Sequence, residues 1–287
     1  MPRQISKDTR LCISLAGRPS NVSTRFHNFL YEELGLDFVY KACNTADLAA
    51  AIAGIRGLGI RGCGVSMPYK EACIPYLDEL DASARALQAV NTIVNDDACL
   101  RGHNTDYIAV AKLLEQYRVS PDLSFALRGS GGMAKAVAGA LRDAGFRSGI
   151  ILARNETTGR PLAGAYGYQW RTELGEAQPD LLINATPIGM AGGPQAETLA
   201  FEPAVIDGTQ VVFDVVAVPP ETPLIRYAKK GGKAVITGAE VITLQAVEQF
   251  VLYTGVHPTE EQIRRASEYA RACPANRPGA GTARLAI

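Results

Sequence analysis

The fold is decided by residues 124–134, SFALRGSGGMA, where a short apolar run passes into a glycine-rich turn. Ser124–Arg128 has the length of a buried strand, and apolar residues recur at helical spacing from Met133 onward. Gly145 ends this helix, and Gly149–Ala153 (GIILA) is a second β-type run. The order strand, turn, helix, strand predicts a parallel βαβ unit with a right-handed crossover.

The turn fits the pattern G-x-G-x-x-A over Gly129, Ser130, Gly131, Gly132, Met133 and Ala134. In a dinucleotide site the first glycine allows a tight turn and the second lets the backbone approach a pyrophosphate. The third, small residue lets the helix pack closely on the strand, and the helix N-terminus offers free N–H groups to phosphates. We therefore predict a dinucleotide site here; the alternative is an ordinary glycine turn.

A cation follows the second strand of this unit. Sites for NAD usually carry an acidic residue about 20 residues after the turn, where it holds the ribose 2′-hydroxyl. This chain has Arg154 there, followed by Asn155 and the hydroxyl residues Thr157 and Thr158. A cation suits a 2′-phosphate, so the sequence favours NADP as the cofactor and leaves NAD possible. The alternative is that Arg154 is a solvated residue at a strand end.

The composition is typical of a cytoplasmic α/β protein. The 287 residues suggest two domains of ~150 residues each. Lys+Arg and Asp+Glu balance at 29 each, so we expect no surface for nucleic acid. No apolar run approaches the ~18 residues needed to span a membrane, and the N-terminus lacks a signal peptide. Six scattered cysteines without a C-x-x-C pair predict free thiols and no metal site.

Strands also alternate with helices before the glycine turn, but no second phosphate-binding turn occurs there. We predict an α/β substrate domain at 1–108 and a Rossmann-type dinucleotide domain at 109–237. Residues 238–273 carry helical patterns and no further strand, so these helices are expected to return to the first domain. The tail, 274–287, is rich in Pro, Gly and small residues and is predicted to be flexible.

Two ionisable residues follow strand-like runs of the first domain. Lys70 comes after a strand and Pro68, and Asp106 comes after the second strand of a hairpin. Ligands of open α/β sheets bind at the carboxyl ends of strands, where a lysine and an aspartate could share a proton network. The alternative for Lys70 is a solvated loop lysine. His27, His103 and His257 are expected to be structural or superficial.

Ordered motifs extend along nearly the whole chain, to about residue 272: Gly64–Lys70 (GVSMPYK), Ala89–Thr92 (AVNT), Gly102–Asp106 (GHNTD), the glycine turn, Asn184–Thr186 (NAT) and Gln245. Together they resemble the shikimate dehydrogenase family, and more closely its shikimate dehydrogenase-like branch. The resemblance implies reversible NADP-linked hydride transfer between shikimate and 3-dehydroshikimate, or a closely related cyclohexane acid. This reaction belongs to aromatic amino acid biosynthesis.

The resemblance also implies roles for particular residues. Lys70 and Asp106 would be the catalytic proton-transfer pair. The implied contacts to the substrate are Ser66, Asn91, Asp106 and Gln245. The implied contacts to the cofactor are Gly129, Ser130, Gly131, Gly132, Met133, Arg154, Asn155, Val215 and Gly238. The partner is then a small hydroxy acid, no metal is implied, and the protein is a monomer or homodimer.

Departures from the family pattern leave the substrate open. Residues 17–27 form a first substrate motif two residues shorter than the family's, so Ser20, Ser23 and Thr24 are all candidates for binding the carboxylate. Ala217 stands where the family has a tyrosine. Each lost hydroxyl pairing costs about 0.5–1.5 kcal/mol. A quinate/shikimate dehydrogenase using NAD is therefore one alternative, and a catalytically weak dinucleotide-binding regulator is another.

Overall fold

The chain forms two six-stranded sheets, in a computed structural model that describes residues 5–17 and 19–272. The first sheet has the order β2-β1-β3-β5-β6-β4. Its strands are β1 (Arg10–Leu15), β2 (Phe38–Cys43), β3 (Gly62–Val65), β4 (Glu79–Leu80), β5 (Thr92–Asp96) and β6 (Cys99–His103). β1, β2 and β3 are parallel, and β5 runs antiparallel to both β3 and β6. Its helices are α1 (Val22–Glu33), α2 (Leu48–Gly57), α3 (Tyr69–Ala72) and α4 (Ala82–Leu87).

The second sheet is entirely parallel, in the order β12-β11-β10-β7-β8-β9. Its strands are β7 (Phe125–Arg128), β8 (Gly149–Leu152), β9 (Gln169–Arg171), β10 (Leu181–Asn184), β11 (Val211–Asp214) and β12 (Ala234–Thr237). Its helices are α6 (Gly132–Asp143), α7 (Glu156–Tyr166), α8 (Pro203–Gly208) and α9 (Pro223–Lys230). The winding direction reverses between β7 and β10, which places the glycine turn at the edge where such sheets bind ligands.

Three further helices complete the structure: α5 (Thr105–Gln116), α10 (Gly238–Thr254) and α11 (Glu260–Arg271). α10 packs on α5, and α11 packs on α1. Phe250 and Tyr253 of α10 complete an apolar core with Phe26 and Leu30 of α1. The predicted class is confirmed: two α/β domains, the second of Rossmann type, with the C-terminal helices returning to the first. The predicted flexible tail, 274–287, lies outside the described residues.

The described residues contain free cysteines and no membrane-spanning helix. The five described cysteines, Cys12, Cys43, Cys63, Cys73 and Cys99, are free thiols; Cys273 lies outside the described residues. No helix within residues 5–17 and 19–272 is both long and apolar enough to cross a membrane. Within the same ranges, no group of three or more His, Cys, Asp or Glu side chains could hold a metal ion.

Candidate active site

A cavity of about 710 Å³ lies at the carboxyl ends of the parallel strands of the first sheet, facing the second domain. Its walls come from the loop before α1, the start of α3, the loop after β11, and helices α10 and α11. The lining residues include Ser20, Asn21, Ser23, Arg25, Ser66, Lys70, Ala217, Val218, Ile242, Gln245, Gln249 and Arg271. The walls are polar toward the first domain and more apolar where the loop after β11 and α10 close the cavity.

Lys70 and Asp106 are in direct contact at this cavity. The Nζ of Lys70 donates a hydrogen bond to Oδ2 of Asp106 over 2.5 Å. Asp106 lies in the first turn of α5, a helix capped by the Asn104 side chain, which accepts from the N–H of Tyr107. The carboxylate is 3% exposed and the lysine side chain 21% exposed. The ammonium is therefore the part of the pair that reaches the cavity, while the carboxylate holds it from behind.

The lysine also lies beside the glycine turn of the second domain. A Cβ placed on Gly132 would be 3.9 Å from Cδ of Lys70. The next residue along α3, Glu71, accepts a hydrogen bond from Nζ of Lys135 on α6 over 2.6 Å. The two domains therefore meet at this point, and the Lys70–Asp106 pair lies next to the turn predicted to hold a pyrophosphate.

Some of the predicted substrate residues line the cavity and others do not. Ser20, Ser23, Ser66 and Gln245 all line the cavity. Thr24 does not: consecutive residues of a helix point about 100° apart, and Thr24 faces a groove between α1 and α11 instead. Of the three candidates for the substrate carboxylate, Ser20 and Ser23 line the cavity, and the role of Thr24 stays a prediction.

Asn91 is also absent from the lining residues, because its side chain is buried beneath the cavity floor. Its Oδ1 accepts from the N–H of Thr105, over 2.7 Å, and from the hydroxyl of Thr92. Its Nδ2 is buried and has no hydrogen-bond partner among the described residues. Asn91 thus fixes the start of α5, and with it the position of Asp106.

Gln249 is a cavity residue that the sequence reasoning missed. Its Nε2 donates to the hydroxyl of Thr92 (2.9 Å) and to the backbone carbonyl of Asn91 (3.1 Å), so it ties α10 to the first sheet. Gln249 lies four residues after Gln245, on the same face of α10. That spacing was a signal available in the sequence.

Two arginines line the cavity near the end of α11, and the sequence reasoning missed them as well. Arg25 donates from its guanidinium to the backbone carbonyls of Tyr269 and Ala272. Arg271 donates to the hydroxyl of Thr243 over 3.1 Å. Both contacts cross more than 25 residues of sequence, so no local pattern identifies these cations as cavity residues.

The glycine turn has the geometry that a pyrophosphate requires. Gly129 has a φ of +126°, and a Cβ there would lie 2.9 Å from the carbonyl oxygen of Ala185. Gly131 is the N-cap of α6, and a Cβ added to it would meet nothing within 4 Å. Gly129 thus permits a tight turn against Ala185, and Gly131 leaves open space at the helix N-terminus, so the residues present fit a dinucleotide.

The residues predicted beside the 2′-position lie at the ends of β7 and β8. Arg154 is exposed and forms no hydrogen bond or ion pair with any residue in 5–17 and 19–272. Asn155 is the N-cap of α7, and its side-chain oxygen accepts from the N–H of Thr157. The hydroxyls of Ser130 and Thr158 hydrogen-bond over 2.8 Å, linking the glycine turn to α7.

Val215 and Gly238, the remaining predicted cofactor residues, are in close backbone contact. A Cβ on Gly238 would lie 2.4 Å from the carbonyl oxygen of Val215. Asp214 fixes this loop by accepting from the N–H of Val216 and from the side chains of Asn184 and Thr222. Burial raises the pKa of Asp214 to about 6, partly offset by these hydrogen bonds.

The histidines lie outside the cavity lining, as the sequence indicated. The Nδ1 of His27 donates to the carbonyl oxygen of Ser23, and its ring stacks on Tyr40 at 4.3 Å between centroids. His103 pairs with Asp81 through Nδ1 over 3.0 Å. His27 is fully buried in the apolar core under α1, and this burial lowers its pKa to about 4.

Acidification from pH 7 to pH 5 is expected to lower the free energy of unfolding by about 2 kcal/mol through His27 alone. The ordinary pKa of histidine, 6.5, exceeds the folded value of about 4. Between these values the unfolded chain binds a proton that the folded chain excludes, so stability is complete above pH 6.5 and falls with pH. Denaturant titration of the parent and of His27→Phe at both pH values isolates this loss, because the other titrating groups, Asp214 among them, are common to both proteins. His27→Phe should abolish it, whereas the exposed control His257→Asn should retain it; an undiminished loss in His27→Phe contradicts the prediction.

Comparison with known proteins gives a consistent result. A family model described as the shikimate dehydrogenase substrate binding domain matches residues 18–93. A shikimate dehydrogenase-like protein of Haemophilus influenzae is 55% identical over 267 residues, which cover 93% of this chain and 98% of that protein. The shikimate dehydrogenase (NADP(+)) of Moorella thermoacetica is 36% identical over 297 residues, covering 97% and 99% of the two chains.

Solved structures resemble this fold over almost its full length. A shikimate 5-dehydrogenase-like protein matches with a TM-score of 0.91 at 55% identity, covering 93% of this chain and 100% of its own. Shikimate 5-dehydrogenase of Thermus thermophilus, in complex with NADP(H) and shikimate, has a TM-score of 0.80 at 28% identity, with 91% and 99% covered. Quinate dehydrogenase of Corynebacterium glutamicum, in complex with NAD, has a TM-score of 0.82 at 28% identity, with 90% and 97% covered.

Proposed function

The chain belongs to the shikimate dehydrogenase family, and from this premise we propose that it is an NADP-linked oxidoreductase acting on shikimate or a closely related cyclohexane hydroxy acid. The observation that carries the proposal is the Lys70–Asp106 pair. An ammonium held by a buried carboxylate lies at the cavity wall, next to a glycine turn that fits a dinucleotide. A protein that only senses a dinucleotide has no need of this pair.

Lys70 is proposed to move the proton of the substrate hydroxyl. In the direction of reduction, the ammonium Nζ donates a proton to the ketone oxygen as that oxygen gains negative charge. In the direction of oxidation, Lys70 first releases that proton to solvent, and the neutral amine then receives the proton of the alcohol. Asp106 keeps Nζ in place and stabilises its positive charge, so the ammonium does not swing away between turnovers. Proton transfer by a positioned group of this kind contributes about 10²–10⁴-fold to the rate.

The proposed cofactor site uses the glycine turn, Arg154 and the loop after β11. The first turn of α6, from Gly131, would hold the pyrophosphate, and Arg154 would face the ribose 2′-phosphate. NADP, when bound, supplies or accepts the hydride. The close contact of Gly238 with Val215 would form the wall beside the nicotinamide, so the orientation of its ring depends on backbone packing and not on a side chain.

The substrate itself is proposed to bind through hydroxyl and amide groups. Ser20 and Ser23 lie at the start of α1, where a carboxylate also benefits from the helix dipole. Ser66 and Gln245 line the same cavity and suit ring hydroxyls. With Ala217 in place of a tyrosine, one hydrogen bond to the substrate is missing, which favours a raised KM for shikimate.

Quinate with NAD is the second candidate. Ala217 and the apolar wall formed by Val218 and Ile242 leave more room in the cavity than a tyrosine would. This space suits the additional ring hydroxyl of quinate. The similar quinate dehydrogenase structure from Corynebacterium glutamicum contains NAD.

The test is a matrix of assays that follows the near-ultraviolet absorbance of the reduced nicotinamide, with NADP or NAD against shikimate or quinate. Turnover is expected with NADP and shikimate. Preferential turnover of quinate with NAD selects the second candidate. No turnover in any combination, together with tight NADP binding by calorimetry, supports the regulator and overturns the enzymatic proposal.

A further inference from the structure

A second arginine lies beside the predicted 2′-phosphate residue, in a position that no family motif marks. Arg128 is the last residue of β7 and precedes the glycine turn. It pairs in register with Leu152, the last residue of β8, and Arg154 follows two residues later. The carboxyl ends of these adjacent strands therefore carry two guanidinium groups, one on each strand.

The environment of Arg128 is unusual for a charged side chain. Residues two apart on a strand share a face, and Ala126 belongs to an apolar core with Leu152 and Phe201. The guanidinium carbon of Arg128 lies over the Phe201 ring, 5.0 Å from its centroid. Arg128 is partly buried, so the edge of its guanidinium next to the core is removed from water while the rest of the group stays accessible.

The partly buried guanidinium of Arg128 forms no hydrogen bond with residues 5–17 and 19–272. Its Nε is buried and has no partner among the described residues. Burial is the main cause that lowers its pKa; the carboxylate of Glu202 raises the pKa without forming an ion pair in the part of the chain described, and the positive charge of Arg154 lowers it by a smaller amount. Neither guanidinium forms an ion pair within the described ranges, so both are available to a bound dianion, which would attract both charges.

We propose that Arg128 and Arg154 together bind the 2′-phosphate of the cofactor, with Arg128 supplying the second cation that Thr158 does not. The planar fork of arginine suits a phosphate monoester, and stacking on Phe201 orients it. Ser130 and Thr158 contribute hydroxyls at the same edge. The inference rests on the proposed function only for the identity of the cofactor; it does not require turnover.

The test measures binding of adenosine 2′,5′-bisphosphate and of adenosine 5′-monophosphate to the full chain by calorimetry. Neither probe contains nicotinamide, so the readout is independent of activity. Arg128→Leu is expected to weaken 2′,5′-bisphosphate binding about 10- to 100-fold and to leave 5′-monophosphate binding nearly unchanged. Arg154→Leu should behave alike. Arg147→Leu, the same change at the opposite edge of the sheet, is the matched control and should bind both probes as the parent does.

Two results overturn the proposal. Unchanged 2′,5′-bisphosphate binding in Arg128→Leu shows that Arg128 does not meet the phosphate. Equal weakening of both probes shows that it stacks on the adenine instead. Should Arg128→Leu fail to fold, Arg128→Gln carries the same expectation, because its neutral amide removes the charge and suits the partial exposure of this position. An inactive protein that still shows the 2′-phosphate preference overturns the proposed function but not this inference.

Discussion

Replacing Lys70 by alanine is expected to reduce turnover by about 10²–10⁴-fold while leaving cofactor binding nearly intact. The ammonium is the one group of the Lys70–Asp106 pair that reaches the cavity, so its loss removes the proton donor for the ketone oxygen. The aliphatic Cδ of Lys70 lies 3.9 Å from the position of a Cβ on Gly132, and within residues 5–17 and 19–272 its Nζ forms no hydrogen bond to the second domain. The measurement compares kcat with the most active substrate against NADPH binding by fluorescence titration.

Loss of folding must be separated from loss of chemistry in that experiment. Lys70→Ala leaves the buried carboxylate of Asp106 unpaired, which costs about 3–5 kcal/mol. The double variant Lys70→Met with Asp106→Asn removes both charges and should regain stability but not turnover. Lys112→Ala is the matched control: Lys112 also pairs with a carboxylate, Glu248, but on an exposed surface. Near-normal turnover of Lys70→Ala rules out its assigned role.

Replacing Gly238 by alanine is expected to weaken NADPH binding by more than about 10-fold and to destabilise the fold by about 1–3 kcal/mol. The added methyl group would lie 2.4 Å from backbone atoms of Val215 and Val216, and backbone cannot yield as a flexible side chain can. The loop that Asp214 holds must therefore move. Because this contact lies far from Arg154, binding of adenosine 2′,5′-bisphosphate should remain close to that of the parent.

Gly164→Ala is the control for this variant. Gly164 is an exposed residue within α7, and a Cβ there would meet nothing within 4 Å. This substitution should stabilise the protein by about 0.5–1 kcal/mol, since alanine loses less backbone entropy than glycine in a helix. If Gly238→Ala binds NADPH as well as Gly164→Ala does, the loop after β11 does not form the nicotinamide wall.

The sequence predicted the fold where physical signals were local. The glycine turn between two apolar runs, and the alternation of strands with helices, were sufficient for the class. The sequence did not predict α7, because Gly159 and Pro161 interrupt the helical spacing of its apolar residues. Gly159 is required by tertiary packing, since a Cβ there would lie 2.5 Å from Nε1 of Trp170 on β9. β4 and β9 are only two and three residues long, too short to show periodicity.

The site was predictable where side chains follow strand ends and less so elsewhere. Lys70 and Asp106 follow β3 and β6, so their proximity could be anticipated from the topology. Thr24 could not be separated from Ser23 without the rotational phase of α1. The role of Arg128 has no local signal, because a lone arginine at the end of an apolar run looks like an ordinary strand end. Its neighbours on the adjacent strand come from a segment about 25 residues later.

The return of α10 and α11 to the first domain sets the order in which the two domains of a newly synthesised chain can fold. Phe26 and Leu30 cannot complete their core until Phe250 and Tyr253 have been synthesised, more than 200 residues later. The second sheet needs no strand beyond β12, and from α10 its core includes Val241 and Leu244, which precede Phe250 and Tyr253 in the chain. The domain encoded second is thus the first that can finish folding, and a nascent chain stalled before α10 displays an uncovered apolar face that attracts chaperones.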